Sequence, residues 1–358
     1  MNKSSPLLHL RFLDGIRGLA ALYVVLYHAQ AMIREDLPRR VSIGLFPLEL
    51  GRFSVTIFIV LSGYCLMLPI ARSADQQLRG GFAEYIKRRS RRILPPYYAA
   101  LVLSFLPIIT FPHLHPYNVN KTLHTLNDFT YPTILSHLLL LDNMYVGWAN
   151  KINSPMWSVA TEFQIYLLFP SLLIPLWKRF GLIAMVVIGF IIGLIPFFVF
   201  HLSDLCSPWF LGVFATGVAG AVISFSDDNQ VARLRESLPW DKVAAAIFLL
   251  FFVVILGVRI TGSENAMREN FRWVLEMIVG LGTTCIIIYC TKHCVKQTDL
   301  GSPSDTKPWL LRLLESRVAI TVGLFSYSLY LIHNPLLELV PLQGRIVRLR
   351  NGHFTQRF

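Results

Sequence analysis

The sequence predicts an all-α fold, a polytopic transmembrane helix bundle of about nine to ten spans. The first observation is composition: 54% of the 358 residues are apolar and 15% are charged, whereas soluble domains carry about 25% charged residues. The second is that the apolar residues recur in stretches of roughly 20, the length that crosses a bilayer as a helix. This composition excludes a soluble enzyme of this size, and its apolar content excludes a disordered chain.

Nine apolar segments form the predicted spans of a single domain over residues 1–342, which is followed by a short basic tail at 343–358. The spans are 12–33, 53–70, 93–112, 156–177, 182–201, 208–225, 243–260, 271–290 and 318–342. A shorter apolar stretch, 134–147, contains Asp142 and Asn143. Because it is short for a crossing, we expect a re-entrant or interfacial segment, with a tenth crossing as the alternative.

The first span resembles a signal peptide, because residues 18–27 are apolar and Ala29-Gln30-Ala31 has the pattern of a cleavage site. Two features of the same segment argue against removal. Asp14 and Arg17 lie at its start, and His28 falls in the region where cleavage would occur. We therefore expect a retained first helix.

The net charge of +12 sits mostly in the loops. The loop 71–92 holds seven Lys and Arg residues, and 113–133 holds only Lys121. The positive-inside rule then predicts a cytoplasmic 71–92 loop and a cytoplasmic N-terminus, in what we expect to be the plasma membrane. If 134–147 does not cross, the basic loops 226–242 and 291–317 are cytoplasmic as well. The rule explains the positive charge without a nucleic-acid partner.

The five cysteines lie in or beside apolar segments, and no two of them form a CxxC pair. An odd number without regular spacing indicates neither a disulfide framework nor a zinc site. We expect small packing residues instead, and no bound metal.

Ionisable residues inside a span are costly and face a partner, a cavity or water. Arg17 and His28 are eleven residues apart on the first span, which places them on one helix face about 16.5 Å apart along the axis. Asp14, three residues before Arg17, is close enough to pair with it. The alternative is an interfacial ion pair and one buried structural histidine.

Two later spans also carry polar groups. Glu162 lies inside the span 156–177, which begins with Trp157 and Ser158; an interfacial anchor is the commoner role of such a tryptophan. On the last span, Tyr330 and His333 are three residues apart and share a face. Arg272 and Glu276 on the span 271–290 have the spacing of a structural i,i+4 pair.

A basic cluster, Lys87-Arg88-Arg89-Ser90-Arg91-Arg92, precedes the third span. Topology and attraction to anionic lipids explain its charge, at about 1 kcal/mol per basic residue near the surface. The functional alternative is a polyanion seat, because Arg89 and Arg92 are three residues apart and can present two guanidinium groups to phosphates.

Five motifs in order resemble those of acyltransferase family 3, membrane proteins that O-acylate carbohydrates and other hydroxyl compounds. They are Arg11–Ala20 with the Arg17-x10-His28 pair, Phe58–Tyr64 with Ser62, Arg89–Pro95, Trp157–Glu162 followed by Tyr166–Pro170, and Ser326–Pro335. The late SYSLYLIHNP run and the Arg-x10-His pair with its flanks are the specific ones. Members of the family usually continue with another helix after the late motif, whereas in this sequence only sixteen residues follow position 342.

The resemblance implies an acyl-CoA donor, with acetyl-CoA expected, on the cytoplasmic side, and a hydroxyl acceptor on a carbohydrate or cell-envelope glycan. His28 would act as the base or carry the acyl group, with Arg17 and Glu162 in the catalytic set. Arg89 and Arg92 would seat the donor phosphates. The residues expected to support the site or bind the acceptor are Asp14, Ser62, Trp157, Ser158, Tyr330 and His333.

A separate extracytoplasmic partner enzyme is a further expectation from the resemblance. Two other functions fit a membrane bundle with buried charges. One is a glycan or lipid transporter or flippase, which would use those charges as a pathway. The other is an inactive, truncated paralogue. Consumption of acyl-CoA with release of free thiol separates the enzyme from both.

Overall fold

The computed structural model describes residues 10–33, 44–110, 130–149, 151–199, 206–263, 267–300 and 307–350, and every regular element in these ranges is a helix. The α-helices are α1 (Arg11–Ile33), α2 (Phe53–Ala71), α3 (Gly81–Thr110), α4 (Tyr131–Leu138), α5 (Val146–Ala149), α6 (Met156–Leu168), α7 (Ile174–Val199), α8 (Phe210–Phe225), α9 (Asn229–Ser237), α10 (Trp240–Thr261), α11 (Arg272–Leu300), α12 (Trp309–Leu314) and α13 (Arg317–Arg350). Short 3-10 turns lie at Phe46–Leu50 and Asp142–Met144, and π-turns at Phe169–Leu173 and Met267–Phe271.

The predicted all-helical bundle is confirmed, and the nine predicted spans lie in helices where the structure describes them. Residues 111–112 and 200–201 at the ends of two spans lie outside the described ranges. Among the described helices, five are long and apolar enough to cross a membrane, or six if α8 and α9, bent by 97°, form one broken span. The predicted count of nine to ten crossings is therefore not confirmed.

One of the five candidate spans is the continuous helical segment Met156–Val199, which has 44 residues. Such a length, at 1.5 Å per residue, far exceeds the hydrocarbon thickness of about 30 Å. Gly181 interrupts it with φ 82° and ψ −177°, a conformation open to glycine and strained for other residues. The break coincides with the boundary that the sequence predicts between the spans 156–177 and 182–201.

The segment 134–147 forms no helix long enough to cross. The eight residues of α4 are followed by a 3-10 turn at Asp142–Met144 and by the four residues of α5. Leu140 adopts φ 54° between them. The side chains of Asp142 and Asn143 are buried against the bundle, as expected of irregular backbone that is tolerated only where protein covers it.

Two sequence-based boundaries are wrong. The basic cluster lies in the first turns of α3 rather than in a loop, because Gly80 and Gly81, both with positive φ, end the preceding turn. The Glu84 carboxylate then lies 3.9 Å from Lys87 Nζ and 3.8 Å from Arg88 Nη1 at helical spacing. The loop predicted from residue 291 is helical to Leu300. The basic tail from 343 stays a prediction; it continues α13 to Arg350, and residues 351–358 lie outside the described ranges.

Two close helix pairs form the centre of the bundle: α1 with α13, and α2 with α8. Glycines allow both approaches. A Cβ on Gly18 would overlap the backbone carbonyl of Ala319, and one on Gly63 would overlap the carbonyl of Phe214. Small residues of this kind let membrane helices pack backbone to backbone. The α1–α13 contact brings the first and last motifs of the sequence together.

The outer faces of α7 and α10 are apolar. Ile183 on α7 is 84% exposed and Ile260 on α10 is 77% exposed, and further large aliphatic and aromatic side chains line the same faces. Contiguous exposed apolar surface of this extent is unusual for a soluble protein and suits the hydrocarbon of a bilayer.

Candidate active site

A cavity of about 260 Å³ lies between α1, α2, α3, α6 and α13. Eight of the eleven residues predicted for the site line it: Asp14, Arg17, Ser62, Arg89, Arg92, Ser158, Glu162 and Tyr330. They come from five helices that are up to 316 positions apart, from Asp14 to Tyr330. The fold thus gathers most of the predicted residues at one place. His28, Trp157 and His333 do not line the cavity.

Arg17 and Asp14 pair at the end of the cavity nearest the start of α1. The Arg17 Nη1 atom donates to Asp14 Oδ1 at 3.0 Å, as the spacing of three residues predicts. The Arg17 Nη2 atom donates to Cys65 Sγ on α2 at 2.9 Å. Cys65 also lines the cavity. Its expected role as a packing residue is therefore incomplete, because it accepts a hydrogen bond from a catalytic candidate.

Arg89 and Arg92 bring two further positive charges to the cavity wall. Arg89 lies with its guanidinium 5.9 Å from the centre of the Tyr85 ring, and its Nε atom is buried without a hydrogen-bond partner among the described residues. A buried guanidinium N–H without a partner is costly. Such a group suits an anionic ligand with oxygen acceptors, which a phosphate provides.

Glu162 faces these arginines from α6. Its Oε1 atom accepts hydrogen bonds from the hydroxyls of Ser62 on α2 and Tyr166 on α6. These two hydroxyl contacts fix the carboxylate at the cavity wall.

Tyr330 closes the far end of the cavity. Its hydroxyl lies 2.6 Å from Ser158 Oγ, and its ring lies 5.8 Å from the ring of Phe58. The Ser158 hydroxyl also donates to the Pro155 carbonyl at 3.0 Å, at the start of α6. These contacts anchor the start of α6 to α13.

His28 and His333 lie just beyond Tyr330. The ring of His333 is 5.8 Å from that of Tyr330 and 4.9 Å from that of His28, measured between ring centres. The Nδ1 atom of His28 and the Nε2 atom of His333 are buried and have no hydrogen-bond partner among the described residues. Two imidazoles thus meet in the interior, next to the cavity and at the opposite end of α1 from Arg17.

Trp157 packs in the core and is only 7% exposed, so it is not an interfacial anchor and does not touch the cavity. Its ring stacks on Phe210 and lies under the Arg52 guanidinium at 4.7 Å. Trp157 can therefore support the site only through α6.

A second charged group, the Arg52–Glu276 cluster (Arg52, Ser207, Trp209 and Glu276), lies in the interior and is not predicted from the sequence. Arg52 donates to Glu276 at 2.9 Å and to Ser207 at 2.8 Å, and Trp209 Nε1 donates to Glu276 at 2.5 Å. The partners that Glu276 has in the structure are thus Arg52 and Trp209, and the predicted Arg272–Glu276 pair stays a prediction. Position 52 is too far away in sequence for spacing to indicate this pair.

In the part of the chain that the structure describes, no group of three or more His, Cys, Asp or Glu side chains is arranged to hold a metal ion. None of the five cysteines forms a disulfide.

The comparisons with known proteins agree with the motifs. A family model for an acyltransferase domain matches residues 10–344. The "Putative peptidoglycan O-acetyltransferase YrhL" of Bacillus subtilis (strain 168) is 25% identical over 92% of the chain and 49% of its own length. The "Putative acetyltransferase ORF330" of Acidianus two-tailed virus is 23% identical over 92% of the chain and 84% of its own length.

A third relative, the "Putative O-acetyltransferase SACOL0978" of Staphylococcus aureus (strain COL), is 22% identical over 92% of the chain and 50% of its own length. The chain thus spans about half the length of the bacterial relatives named here. No solved structure matches it. Because the family model matches nearly the whole chain and all five motifs, the chain belongs to acyltransferase family 3.

Proposed function

We propose that the chain is a membrane O-acyltransferase that moves an acyl group, expected to be acetyl, from acyl-CoA to a hydroxyl of a carbohydrate or cell-envelope glycan. One observation carries the proposal. An arginine-rich cavity near the start of α1 lies next to two imidazoles, the partly buried His28 towards the other end of α1 and the buried His333. The chemistry needs a charged seat and a proton acceptor at a distance from each other, and these two groups support that arrangement.

The proposed donor suits this separation. In acyl-CoA the phosphates and the thioester lie at opposite ends of the long pantetheine arm. Arg89 and Arg92 would hold the phosphates at the cavity mouth, since guanidinium groups bind phosphate oxygens in a bidentate way. The eleven residues from Arg17 to His28 span about 16.5 Å, along which the arm would extend.

The proposed reaction is a direct acyl transfer. The acceptor hydroxyl oxygen attacks the thioester carbonyl carbon while its proton passes to a ring nitrogen of His28. The new C–O ester bond forms, the C–S bond breaks, and the proton on His28 passes to the leaving thiolate to give free CoA thiol. General base catalysis of this kind contributes about 10²–10⁴-fold. The alternative has two displacements: a ring nitrogen of His28 first attacks the thioester carbon and the C–S bond breaks to release CoA thiol. The acceptor oxygen then attacks the acyl-imidazole, the C–O ester bond forms, and the C–N bond breaks to restore His28.

Arg17 and Glu162 would organise the cavity during this reaction. Arg17 is held by Asp14 and Cys65 with its guanidinium at the wall. There it would stabilise the negative charge of the donor phosphates together with Arg89 and Arg92. Glu162, held by Ser62 and Tyr166, would bind and orient hydroxyl groups. Ser158 and Tyr330 would shape the passage between the donor cavity and the imidazoles.

The proposal places the donor in the cytoplasm and the acceptor at the outer face of the plasma membrane. The positive charge of the 71–92 region and the relative named for peptidoglycan support this arrangement. A separate extracytoplasmic enzyme that works with this chain is a further part of the proposal.

The experiment uses the full chain, purified and reconstituted in lipid vesicles with acetyl-CoA and a soluble glycan acceptor. We expect release of free thiol that depends on both acetyl-CoA and acceptor, with acetate appearing in the glycan as an ester. Movement of glycan or lipid across the vesicle without thiol release would support the transporter instead. Neither activity, from a protein that binds acetyl-CoA, would support the inactive paralogue.

A further inference from the structure

The second histidine of the pair, His333, has a proton arrangement that the structure defines. Its Nδ1 atom lies 2.6 Å from the backbone carbonyl oxygen of Tyr330, one turn earlier on α13. A carbonyl oxygen only accepts, so Nδ1 must carry the hydrogen. In the neutral ring the other nitrogen, Nε2, then has a free lone pair. His333 is 2% exposed, and this Nε2 atom is buried without a partner among the described residues.

His28 faces this lone pair from α1. The two ring centres are 4.9 Å apart, with the rings tilted by 50°. Because each ring nitrogen lies roughly 1 Å from its ring centre and an N–H···acceptor bond spans about 3 Å, two hydrogen-bonded imidazoles have centres about 5 Å apart. The separation therefore suits such a bond, which needs only a rotation of the ring. The His28 Nδ1 atom is itself buried and unpartnered.

We propose that His333 is a positioning residue, which holds His28 with its Nδ1–H directed at the His333 Nε2 atom. This inference rests on the proposed function, in which His28 accepts the proton of the acceptor hydroxyl. Once Nδ1 carries the hydrogen, the Nε2 atom of His28 is the ring nitrogen with the lone pair, and it becomes the base. A fixed partner on the second nitrogen is the usual way in which a histidine tautomer is set.

The arrangement balances through the reaction. His28 gains the acceptor proton on Nε2 and becomes an imidazolium whose Nδ1–H continues to donate to His333. His333 keeps its own Nδ1–H on the Tyr330 carbonyl and exchanges no proton. Its lone pair stabilises the transient positive charge on His28, which is otherwise expensive in a buried site. The proton then leaves His28 Nε2 with the thiol, and both rings return to their starting state.

This proposal separates a positioning role from simple packing. A packing residue needs volume, and a leucine would supply it. A positioning residue needs an acceptor atom at the place of Nε2, which the side-chain oxygen of glutamine supplies. Asparagine can keep the hydrogen bond to the Tyr330 carbonyl but is too short to present an acceptor to His28.

The test measures acetyl transfer by His333→Gln, His333→Leu and His333→Asn in vesicles, beside the wild type and His28→Ala, with folded protein matched by monodispersity and melting temperature. We expect Leu and Asn to lower kcat about 100-fold with the KM for acetyl-CoA changed less than about threefold, and Gln to restore most of kcat. Adding His28→Ala to His333→Leu should cost little more than His28→Ala alone, because the two rings act as a unit.

Three results overturn the inference about His333. They are activity in His333→Leu equal to wild type, equal losses in Leu and Gln, or a change confined to KM. If Leu does not fold, the contrast of Gln with Asn decides alone. A wild-type rate in His28→Ala is a different failure, because it removes the base from the proposed function. An inactive His28→Ala beside an unaffected His333→Leu removes only the present inference.

Discussion

Two groups of charged side chains lie inside this bundle, and they differ in how well their polar atoms are satisfied. In the Arg52–Glu276 cluster, both carboxylate oxygens of Glu276 accept a hydrogen bond, from Arg52 and from Trp209, and the Glu276 side chain is fully buried. At the cavity, the Arg89 Nε atom has no partner in the part of the chain that the structure describes, and beyond Tyr330 two imidazole nitrogens have none there either. Within these residues, Glu276 has an acceptor role filled at both oxygens, whereas the cavity side leaves donors and acceptors unused.

This difference separates structure from function better than burial does. A buried ion pair whose hydrogen bonds are complete holds helices together and has nothing left to offer a ligand. Buried polar atoms without partners carry a free-energy cost, and they persist where a ligand or a reaction uses them. Composition and hydropathy alone cannot distinguish the two groups, because both consist of ionisable side chains within apolar helices.

The largest effect is expected at the His28 end of α1. His28→Ala should lower the rate of acetyl transfer by about 10²–10⁴-fold, because the acceptor proton loses its base. The binding of acetyl-CoA should stay within a few fold, since the arginine seat is unchanged. Stopped or coupled assays of thiol release, with matched amounts of folded protein, measure the first quantity, and equilibrium binding measures the second.

His293→Ala is the matched control, because His293 is a histidine on a long helix, α11, that packs on Tyr289 away from the cavity. Its rate should equal that of the wild type. Loss of activity in both histidine variants would point to a general effect on folding, and retention in both would contradict the role of His28.

The Arg52–Glu276 cluster should respond in stability instead. Glu276→Ala removes the acceptor of Arg52 and Trp209, and breaking a buried pair in this way costs about 3–5 kcal/mol. We expect a marked fall in melting temperature in lipid or detergent. The folded fraction should still bind acetyl-CoA with the wild-type Kd, because no member of the cluster lines the cavity.

Glu236→Ala supplies the contrast. Glu236 is half exposed and pairs with Lys292 at 2.9 Å, so its loss should cost no more than about 1 kcal/mol. If both variants melt at the same temperature as the wild type, the Arg52–Glu276 cluster does not hold the bundle together. That result would contradict the structural role given to this cluster.

The smallest effect is expected at Cys65. A serine hydroxyl also accepts a hydrogen bond, so Cys65→Ser keeps a partner for Arg17, and the rate should change less than about threefold. The assay is the same thiol release. A loss of 100-fold or more would show that the Cys65 thiol takes part in the chemistry as a nucleophile, and would replace His28 as the acyl-carrying candidate.

Much of the fold could be predicted because hydropathy is local. Stretches such as 53–70 and 208–225 correspond to α2 and α8 within two residues at either end. Hydropathy predicts a loop for the basic cluster because its residues are charged, although the spacing of Glu84 from Lys87 and Arg88 is that of ion pairs on a helix. The Asp14–Arg17 pair could be predicted since it lies within one helical turn.

Contacts between helices distant in sequence could not be predicted from spacing. Glu276 has a suitable partner four residues away, yet Arg52 binds it from α2. The same holds for Cys65 beside Arg17 and for His333 beside His28, which only the approach of α1 to α2 and α13 creates. The motifs still selected eight side chains of one cavity, because a family resemblance carries three-dimensional information that spacing lacks.

The most direct test of the account is the affinity for CoA of Arg89→Gln with Arg92→Gln, beside Lys87→Gln with Arg91→Gln. Both pairs remove two positive charges from the first turns of α3, but only the first pair lines the cavity. The account predicts that Arg89→Gln with Arg92→Gln raises the Kd for CoA about 10- to 100-fold, because hydrogen bonds to a charged group contribute about 1.5–3 kcal/mol. The melting temperature of this double variant should be unchanged. The Kd of Lys87→Gln with Arg91→Gln should stay near the wild-type value. Equal affinity in both double variants would contradict it, because Arg89 and Arg92 would then hold no donor.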